Sequence, residues 1–176
     1  MFIKIQDLET RTLQFDQWYA PGELNFGDSG VRALDRVHAI GEASLLPGTE
    51  DQFRLVGRIA LPAGAECDRC LGQAVFPVDA HFDLFYQPAS VAVGGEEIAI
   101  EEADTETGFY DGDGIELEDV LVEQVLLQLP MQKLCRQDCM GICPVCGSDR
   151  NAVACDCSAR AGDDRWAALK NLTEVN

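Results

Sequence analysis

The amino-acid sequence predicts an α+β fold: an antiparallel β meander or partly closed barrel, one amphipathic helix, and a C-terminal, zinc-ribbon-like cysteine module. Three observations predict this fold. Apolar and polar residues alternate over most of residues 1–87, which is the pattern of half-buried strands. Apolar residues recur at helical spacing in the stretch 115–130. Six of the eight cysteines fall within residues 134–157.

The β-rich domain, residues 1–87, contains four predicted strands: FIKIQDL, RVHAIGEASLL, QFRLVGRIALP and QAVFPVDAHFDLFYQP. In the third strand, Phe53, Leu55 and Ile59 lie on one face, and Arg54 lies on the other. The segments between the strands are rich in turn-forming residues: PGEL, FGDSG, LPGTED and LPAGAECDRC. Consecutive strands at this spacing predict antiparallel neighbours that follow one another in sequence order.

Acidic residues and glycines dominate residues 88–114, which predicts a flexible acidic connection with one short strand at EEIAI. The stretch 115–130 then predicts a helix with Leu121 in its apolar stripe, and Pro130 ends this helix. The remaining residues, 131–176, predict a cysteine-rich metal module that finishes with a short helix, DDRWAALKNL.

The chain is strongly acidic, with 31 acidic and 13 basic residues and a formal net charge of −18. The imbalance is uneven: residues 71–132 contain 14 acidic residues and no Lys or Arg, whereas residues 133–176 contain six residues of each sign. An overall field of this sign opposes binding to a polyanion. If any part of the chain contacts RNA, the charge distribution therefore points to the C-terminal part.

The eight cysteines form four close pairs, and each pair can present two sulfur atoms to one ion. The pairs are Cys67/Cys70, Cys135/Cys139, Cys143/Cys146 and Cys155/Cys157. Structural zinc takes four such ligands in a tetrahedron at about 2.3 Å, so the thiols suffice for two zinc ions with none left over. Iron is an alternative, because four thiolates also bind a single iron or an iron–sulfur cluster. The density of thiols disfavours simple core filling, and a cytoplasmic compartment disfavours disulfides.

Two groupings of these pairs are open. In the first, the last two pairs form a zinc-ribbon site around the segment CPVCG, where Gly147 can adopt a positive φ. The first two pairs then form another site, which connects the module to the strand domain. In the second grouping, the middle two pairs share one site and the outer two pairs share the other.

The sequence contains no motif for catalysis, so we expect the protein not to be an enzyme and to have no small-molecule substrate. His38 and His81 lie in strand patterns, the serines lie in no nucleophile motif, and no phosphate-binding glycine loop is present. Four sulfur ligands also leave a zinc ion without an open position for water. The segment MFIKIQDLETR carries charge and lacks a long apolar run, which predicts a soluble cytoplasmic protein without a membrane segment.

Four segments carry a family resemblance: CDRCL at 67–71, LLQLP ending at Pro130, GICPVCG at 141–147 and DDRWAALKNL at 163–172. In this order they resemble the YceD family of large ribosomal RNA subunit accumulation proteins. The resemblance covers residues 50–172. It implies a non-enzymatic role in the synthesis, processing or accumulation of 23S ribosomal RNA in ribosome biogenesis, with the metal as a structural element.

The resemblance also implies ribosomal RNA or ribosomal assembly proteins as partners. The residues expected to contact RNA or a partner are the basic side chains of the module: Lys133, Arg136, Arg150, Arg160, Arg165 and Lys170. Two other interpretations stay open. One is an acidic adaptor that binds basic ribosomal or transcription proteins, and the other is a thiol redox sensor.

Overall fold

The computed structural model describes residues 1–49, 51–89 and 107–157. Within these ranges the chain forms eight strands and two helices. In chain order, the elements are β1 (Phe2–Lys4), α1 (Ile5–Thr10), β2 (Leu13–Tyr19), β3 (Arg32–Ala33), β4 (Val37–Leu45), β5 (Phe53–Glu66), β6 (Gln73–Pro88), β7 (Thr107–Tyr110), β8 (Gly114–Glu116) and α2 (Leu117–Gln128). Strands predominate among the described residues and α2 is the longer helix, so the predicted α+β class is confirmed.

One mixed sheet carries most of the strands. Among the described residues its order is β2–β4–β5–β6–β7, and β3 pairs with the end of β5. All neighbours in this sheet are antiparallel except β6 and β7, which are parallel. A separate two-stranded sheet pairs β1 with β8. Strands β4, β5 and β6 correspond to three of the predicted strands and form an antiparallel meander. Strand β2, which was not predicted, adds to it, and the sheet is open, with β2 and β7 at its edges.

Strands β5 and β6 form a long hairpin that positions the first cysteine pair. They pair continuously from Phe53↔Tyr86 to Glu66↔Gln73. Strand β4 pairs only with the first part of β5, so the closed end of the hairpin extends beyond it. The turn at this hairpin tip begins at Cys67.

The main core lies between the inner face of the sheet and the two helices. Along β5, Leu55 and Ile59 are buried while Arg54 and Arg58 are exposed, as the sequence predicts. Helix α2 contacts β5 and β6, and its buried side chains, such as Leu121, belong to the same apolar cluster. Burial of each large apolar side chain contributes about 1.5–3 kcal/mol, so this cluster is the main source of stability for the strand domain.

Four residues that pair across neighbouring strands form a row across the sheet, and the two central residues are glycines. Phe15 lies opposite Gly41, Gly41 opposite Gly57, and Gly57 opposite Phe82. A Cβ atom on Gly57 would lie 2.6 Å from the Phe82 ring, and a Cβ atom on Gly41 would lie 2.6 Å from the Phe15 ring. The two rings therefore cover the glycines on the inner face, and the packing requires residues without side chains at both positions.

The sequence analysis missed β2, which pairs with β4 over its whole length and buries Phe15 and Tyr19. Two predicted segments also differ from the structure. FIKIQDL, predicted as a strand, is β1 only as far as Lys4 and then becomes α1, because Ile5 and Leu8 at helical spacing both reach the core. LPAGAE, predicted as a turn, continues β5, because Ala63 and Ala65 are buried and β3 pairs with this stretch. Both differences arise from tertiary contacts that the local pattern does not encode.

Two predicted elements, the strand EEIAI and the helix DDRWAALKNL, lie outside the described residues. The described part of the predicted connection, 107–114, contains β7 and the start of β8. The boundaries of the four predicted segments stay predictions. In the described ranges, none of the helices combines the length and the apolar character needed to cross a membrane.

Candidate metal centres

The structure gathers all eight cysteines into two groups of four. The inner site, as we name it, consists of Cys67, Cys70, Cys135 and Cys139. The outer site consists of Cys143, Cys146, Cys155 and Cys157. In each site the four sulfur atoms all lie within 4.8 Å of one another. This arrangement is the first of the two groupings considered from the sequence, in which one site connects the module to the strand domain.

The sulfur separations in the inner site suit a single ion. Cys67 Sγ lies 3.9 Å from Cys139 Sγ, and Cys70 Sγ lies 3.7 Å from Cys135 Sγ. Four sulfurs at about 2.3 Å from one ion form a tetrahedron with edges of about 3.8 Å. An iron–sulfur cluster places several atoms between its cysteine ligands, so those sulfurs lie farther apart. Zinc and a single iron ion both satisfy the observed separations.

The inner site joins the hairpin tip to the cysteine segment, the name used here for residues 131–157. The turn at the tip closes through a 2.7 Å hydrogen bond from the Cys67 N–H to the Gly72 carbonyl. The Asp68 N–H donates to the Lys133 carbonyl at 2.8 Å, and the Lys133 N–H donates to the Asp68 carboxylate at 2.6 Å. These two bonds hold the pair Cys135 and Cys139 next to the pair Cys67 and Cys70.

The outer site is built on the turn CPVCG. The Gly147 N–H donates to the Cys143 carbonyl at 2.8 Å, and the Cys143 N–H donates to the Ser148 carbonyl, also at 2.8 Å. Gly147 has a φ of +73°, the left-handed conformation that favours glycine, as the sequence predicts. The tight turn brings Cys143 and Cys146 together, and the last cysteine pair completes the group.

Hydrogen bonds to sulfur favour the thiolate form that a metal ion requires. The Cys135 N–H donates to Cys67 Sγ at 3.4 Å and lowers the pKa of Cys67 to about 6. The Ser148 hydroxyl lies 3.0 Å from Cys146 Sγ and lowers the pKa of Cys146 to about 6. Backbone N–H groups of Cys146 and Val145 also lower the pKa of Cys143. The surroundings therefore stabilise the ionised form of one thiol in the inner site and of two in the outer site.

Asn151 connects the two sites, and the sequence analysis did not identify it. Its Nδ2 donates to Cys139 Sγ at 3.4 Å and to Asp149 Oδ1 at 2.7 Å. Its Oδ1 accepts hydrogen bonds at 2.8 Å from the Met140 N–H and from Arg136 Nη2. One amide thus orients an inner-site ligand while it holds the chain that leads to the outer site. The turn-forming sequence SDRN is the signal from which a structural role could have been suspected.

The chain between the two sites packs on the hairpin tip. Arg69 Nη1 donates to the Cys139 carbonyl at 3.0 Å, and the Arg69 carbonyl accepts from the Ile142 N–H at 3.0 Å. Gly141 lies between these contacts with a φ of +71°, and a Cβ atom there would lie 2.8 Å from the Arg69 carbonyl oxygen. Glycine permits this close approach of two backbones, so both sites are tied to the same turn.

Apolar contacts give the cysteine segment little support. A small cluster beside the main core surrounds the inner site, and its members are Cys67, Ala74 and Cys139 with Cys70, Phe76 and Leu134 packed against them. Several apolar side chains of the segment are exposed instead: Met131, Met140, Ile142, Val145 and Val153. Among the described residues, so little apolar burial in the segment is typical of small modules that a bound metal stabilises.

Three of the six basic residues predicted to contact RNA or a partner are described. Lys133 Nζ donates to the Ser29 carbonyl at 3.2 Å, and Arg136 binds two neighbouring side chains of the cysteine segment. Arg150 is exposed on the turn between the two cysteine pairs of the outer site. The other three lie outside the described residues: Arg160, Arg165 and Lys170. Contact between these six residues and RNA stays a prediction.

The region that contains both sites matches a known protein family. A family model described as "Large ribosomal RNA subunit accumulation protein YceD" matches residues 55–173. Uncharacterized proteins of Mycobacterium tuberculosis and Mycobacterium bovis are 34% identical over 140 residues, which are 78% of this chain and 59% of those proteins. YlbN of Bacillus subtilis, also described as uncharacterized, is 24% identical over 172 residues, which are 96% of this chain and 92% of that protein.

The chain is similar to these proteins over different shares of their length. It spans less than two thirds of the mycobacterial proteins and nearly all of YlbN. No solved structure matches the chain significantly. The similarity therefore concerns sequence, and it includes the part of the chain that holds the two cysteine groups.

Proposed function

Because the chain belongs to the YceD family of large ribosomal RNA subunit accumulation proteins, we propose that it supports the accumulation of 23S ribosomal RNA during ribosome assembly in the cytoplasm. The observation that carries this proposal is the family match, whose range, residues 55–173, includes both four-cysteine sites. The mycobacterial relatives are longer than this chain, so the substrates and partners of the whole protein are part of the proposal.

The proposal assigns one structural zinc ion to each site. Its support is the donor set, because four cysteine sulfurs within 4.8 Å of one another can form the shell in which structural zinc is stable. Bound zinc would hold the cysteine segment against the hairpin tip, where few apolar side chains are buried. Four thiolates leave no open position for water, so the proposal includes no catalytic step and no small-molecule substrate.

Deletion of the gene tests the role in ribosomal RNA. We expect the ratio of large-subunit to small-subunit RNA to fall in the deletion strain and the wild-type gene to restore it. The double variant Cys143→Ser, Cys146→Ser should restore the ratio poorly, because the outer site loses two of its four ligands. Val153→Ala, at an exposed position of the same segment, is the matched control and should restore the ratio fully. An unchanged ratio in the deletion strain would contradict the proposal.

Metal analysis of protein purified under reducing, oxygen-free conditions tests the zinc assignment. We expect about two zinc ions per chain, one for each four-thiolate site. Cys70→Ser should leave about one ion, held by the outer site, and Cys146→Ser should leave about one, held by the inner site. Protein without metal, or protein with iron in the same ratio, would overturn the assignment of zinc.

A second candidate function is an acidic adaptor that binds basic ribosomal or transcription proteins. The net charge of −18 favours this function, because such a field attracts basic partners and repels RNA. The two functions are separable in the deletion strain. A stable complex with a basic ribosomal protein, together with an unchanged RNA ratio, would favour the adaptor over the role in RNA accumulation.

A further inference from the structure

The solvent-facing side of the main sheet carries an exposed tryptophan. Trp18 of β2 lies opposite His38 of β4 and is 60% exposed. The indole and imidazole rings stack, with centroids 4.2 Å apart and planes inclined by 10°. His38 Nε2 in turn lies 2.7 Å from Asp16 Oδ1. The imidazole therefore supports one face of the indole and is itself held in place, while the exposure of Trp18 leaves the other face of the indole to solvent.

A trough runs along the sheet beside this stack. A concavity of about 580 Å³ has a lining that includes Trp18, Arg36, His38, Ile40, Arg58 and Pro77. A second concavity, of about 660 Å³, adjoins it, and Ile40 and Arg58 line both. An open trough of this shape suits an extended chain better than a compact small molecule, which binds in enclosed pockets.

The end of the trough near Trp18 reverses the charge balance of the molecule. The whole chain has 31 acidic and 13 basic residues, whereas the concavity beside Trp18 has Arg36 and Arg58 against a single acid, Asp79. Arg58 already neutralises Asp79 through hydrogen bonds of 2.5 and 2.6 Å. In the described part of the chain, Arg36 makes no ion pair. Asp16, which is paired with His38, and Glu42 line the other concavity, so Arg36 is the basic group beside Trp18 that is left for an anionic ligand.

We propose that single-stranded RNA binds this face, with one base stacked on the open side of Trp18 and a flanking phosphate at Arg36. The inference rests on the proposed function and names the surface through which that function would contact RNA. Aromatic rings on exposed sheet faces bind unpaired bases by stacking, and a guanidinium binds phosphate oxygens through paired hydrogen bonds.

The geometry favours a base over a peptide side chain. A flat ring with one free face offers a nucleobase a full stacking contact, whereas an aliphatic side chain needs an enclosing pocket to bury its surface. The stack on His38 and the contact with Asp16 also fix the orientation of the indole before RNA binds. A ring that is already oriented loses little conformational entropy on binding.

Binding of a short, unstructured oligouridine RNA, measured by fluorescence anisotropy of a dye on the RNA, tests the proposal. Trp18→Ala should weaken the affinity by about tenfold to a hundredfold, which is the loss that one stacked base implies. Trp18→Phe should retain most of the affinity, because a phenyl ring still stacks. Arg36→Gln should weaken binding and reduce the slope of log affinity against log salt by about one.

Two exposed positions elsewhere supply matched controls. Leu127→Ala on α2 and Arg11→Gln between α1 and β2 should bind the RNA as the wild type does. Tryptophan fluorescence gives an independent signature, since the chain has two tryptophans and Trp166→Phe leaves Trp18 as the sole emitter. Saturable quenching of this emission by RNA is expected from base stacking. Circular dichroism of Trp18→Ala shows whether the variant is folded.

Three results would overturn the proposed surface: no RNA binding by the wild type, wild-type affinity in folded Trp18→Ala, or binding of a basic peptide in place of RNA at Trp18. If one of these results is found and gene deletion still lowers the ratio of large-subunit to small-subunit RNA, the proposed surface is refuted and the proposed function is not. An unchanged RNA ratio on deletion removes the proposed function instead.

Discussion

Asn151 supports a cysteine of the inner site and the backbone that leads to the outer site. Its amide nitrogen donates to the sulfur of Cys139 in the inner site, and its amide oxygen holds the backbone at Met140, where the chain turns toward the outer site. Groups that hydrogen-bond to metal ligands fix their orientation, and their loss lowers metal affinity by about 10- to 100-fold. The contacts of Asn151 therefore predict an effect on metal binding although the residue is not itself a ligand.

Asn151→Ala should weaken cobalt(II) binding at the inner site by about tenfold, because Cys139 loses its side-chain donor. Asn151→Asp keeps the shape and the oxygen acceptor but turns a carboxylate toward Cys139 and Asp149, so the affinity should fall at least as far. Titration followed by the thiolate-to-cobalt absorption measures the change. Ser148→Ala removes the hydroxyl beside Cys146 and should weaken the outer site alone. Unchanged affinity in both Asn151 variants would show that the amide does not orient a ligand.

Gly57→Ala should lower the free energy of unfolding by about 1–3 kcal/mol, the usual result of overpacking a filled core. The physical reason is that the new Cβ atom would lie 2.6 Å from the ring of Phe82. Phe82→Leu removes the ring, so the alanine should destabilise the Phe82→Leu background less than the wild type. Urea unfolding of the wild type, the two single variants and the double variant gives this coupling energy. Strictly additive effects would refute the packing explanation.

One face of helix α2 is buried in the core and the other is exposed to solvent. Two leucines, one on each face, show the difference. Leu121 is completely buried, whereas Leu127 is 69% exposed. Leu121→Ala should reduce the free energy of unfolding by about 2–5 kcal/mol, because it leaves a cavity against the sheet. Leu127→Ala should change it by less than about 0.5 kcal/mol. Urea denaturation measures both, and comparable losses would mean that Leu127 is covered in solution.

Elements with one buried face were predictable from local pattern. Strands β4 and β5 and helix α2 bury residues at the period of their own backbone, so alternation or helical spacing was sufficient to predict them. Helix α1 was not predictable in this way, because its six residues contain fewer than two turns. The extension of β5 to Glu66 follows its continuous pairing with β6, and β3, a two-residue strand, pairs with part of this extension.

For the cysteine sites, the sequence predicted the close pairs but not the way in which the pairs combine. Close spacing predicted the four pairs and the turn at Gly147, because each depends on a few neighbouring residues. The grouping of the pairs depends on the bonds between Asp68 and Lys133, which are 65 residues apart, and spacing alone could not decide it. The sequence analysis did not identify Asn151, because an amide side chain can support a metal ligand only when the fold brings the two together.

The whole molecule contains two parts that differ in what stabilises them. The strand domain has one large apolar cluster, to which the sheet and both helices contribute. The cysteine segment shares only a small cluster around Cys67, Ala74 and Cys139 and exposes apolar side chains such as Val145. Its backbone is held to the hairpin tip by a few hydrogen bonds and by the inner site, which includes Cys67 and Cys70 of the tip. On the proposal that both sites hold zinc, loss of the metal should therefore act on the cysteine segment and spare the strand domain.

Chelation of the reduced protein should release the cysteine segment and leave the sheet folded. Amides of residues 131–157, among them the N–H groups of Ile142 and Cys143 that are bonded in the structure, should exchange rapidly with deuterium after metal removal. Amides of β4 should stay protected, because their bonds lie inside the sheet over the main core.

Lower pH should have the same effect as the chelator, since protons compete with metal for thiolates. Added zinc should restore protection in the wild type, whereas Cys146→Ser should regain it only around the inner site. Protection of residues 131–157 that survives complete removal of metal would refute the metal-dependent structure of this segment.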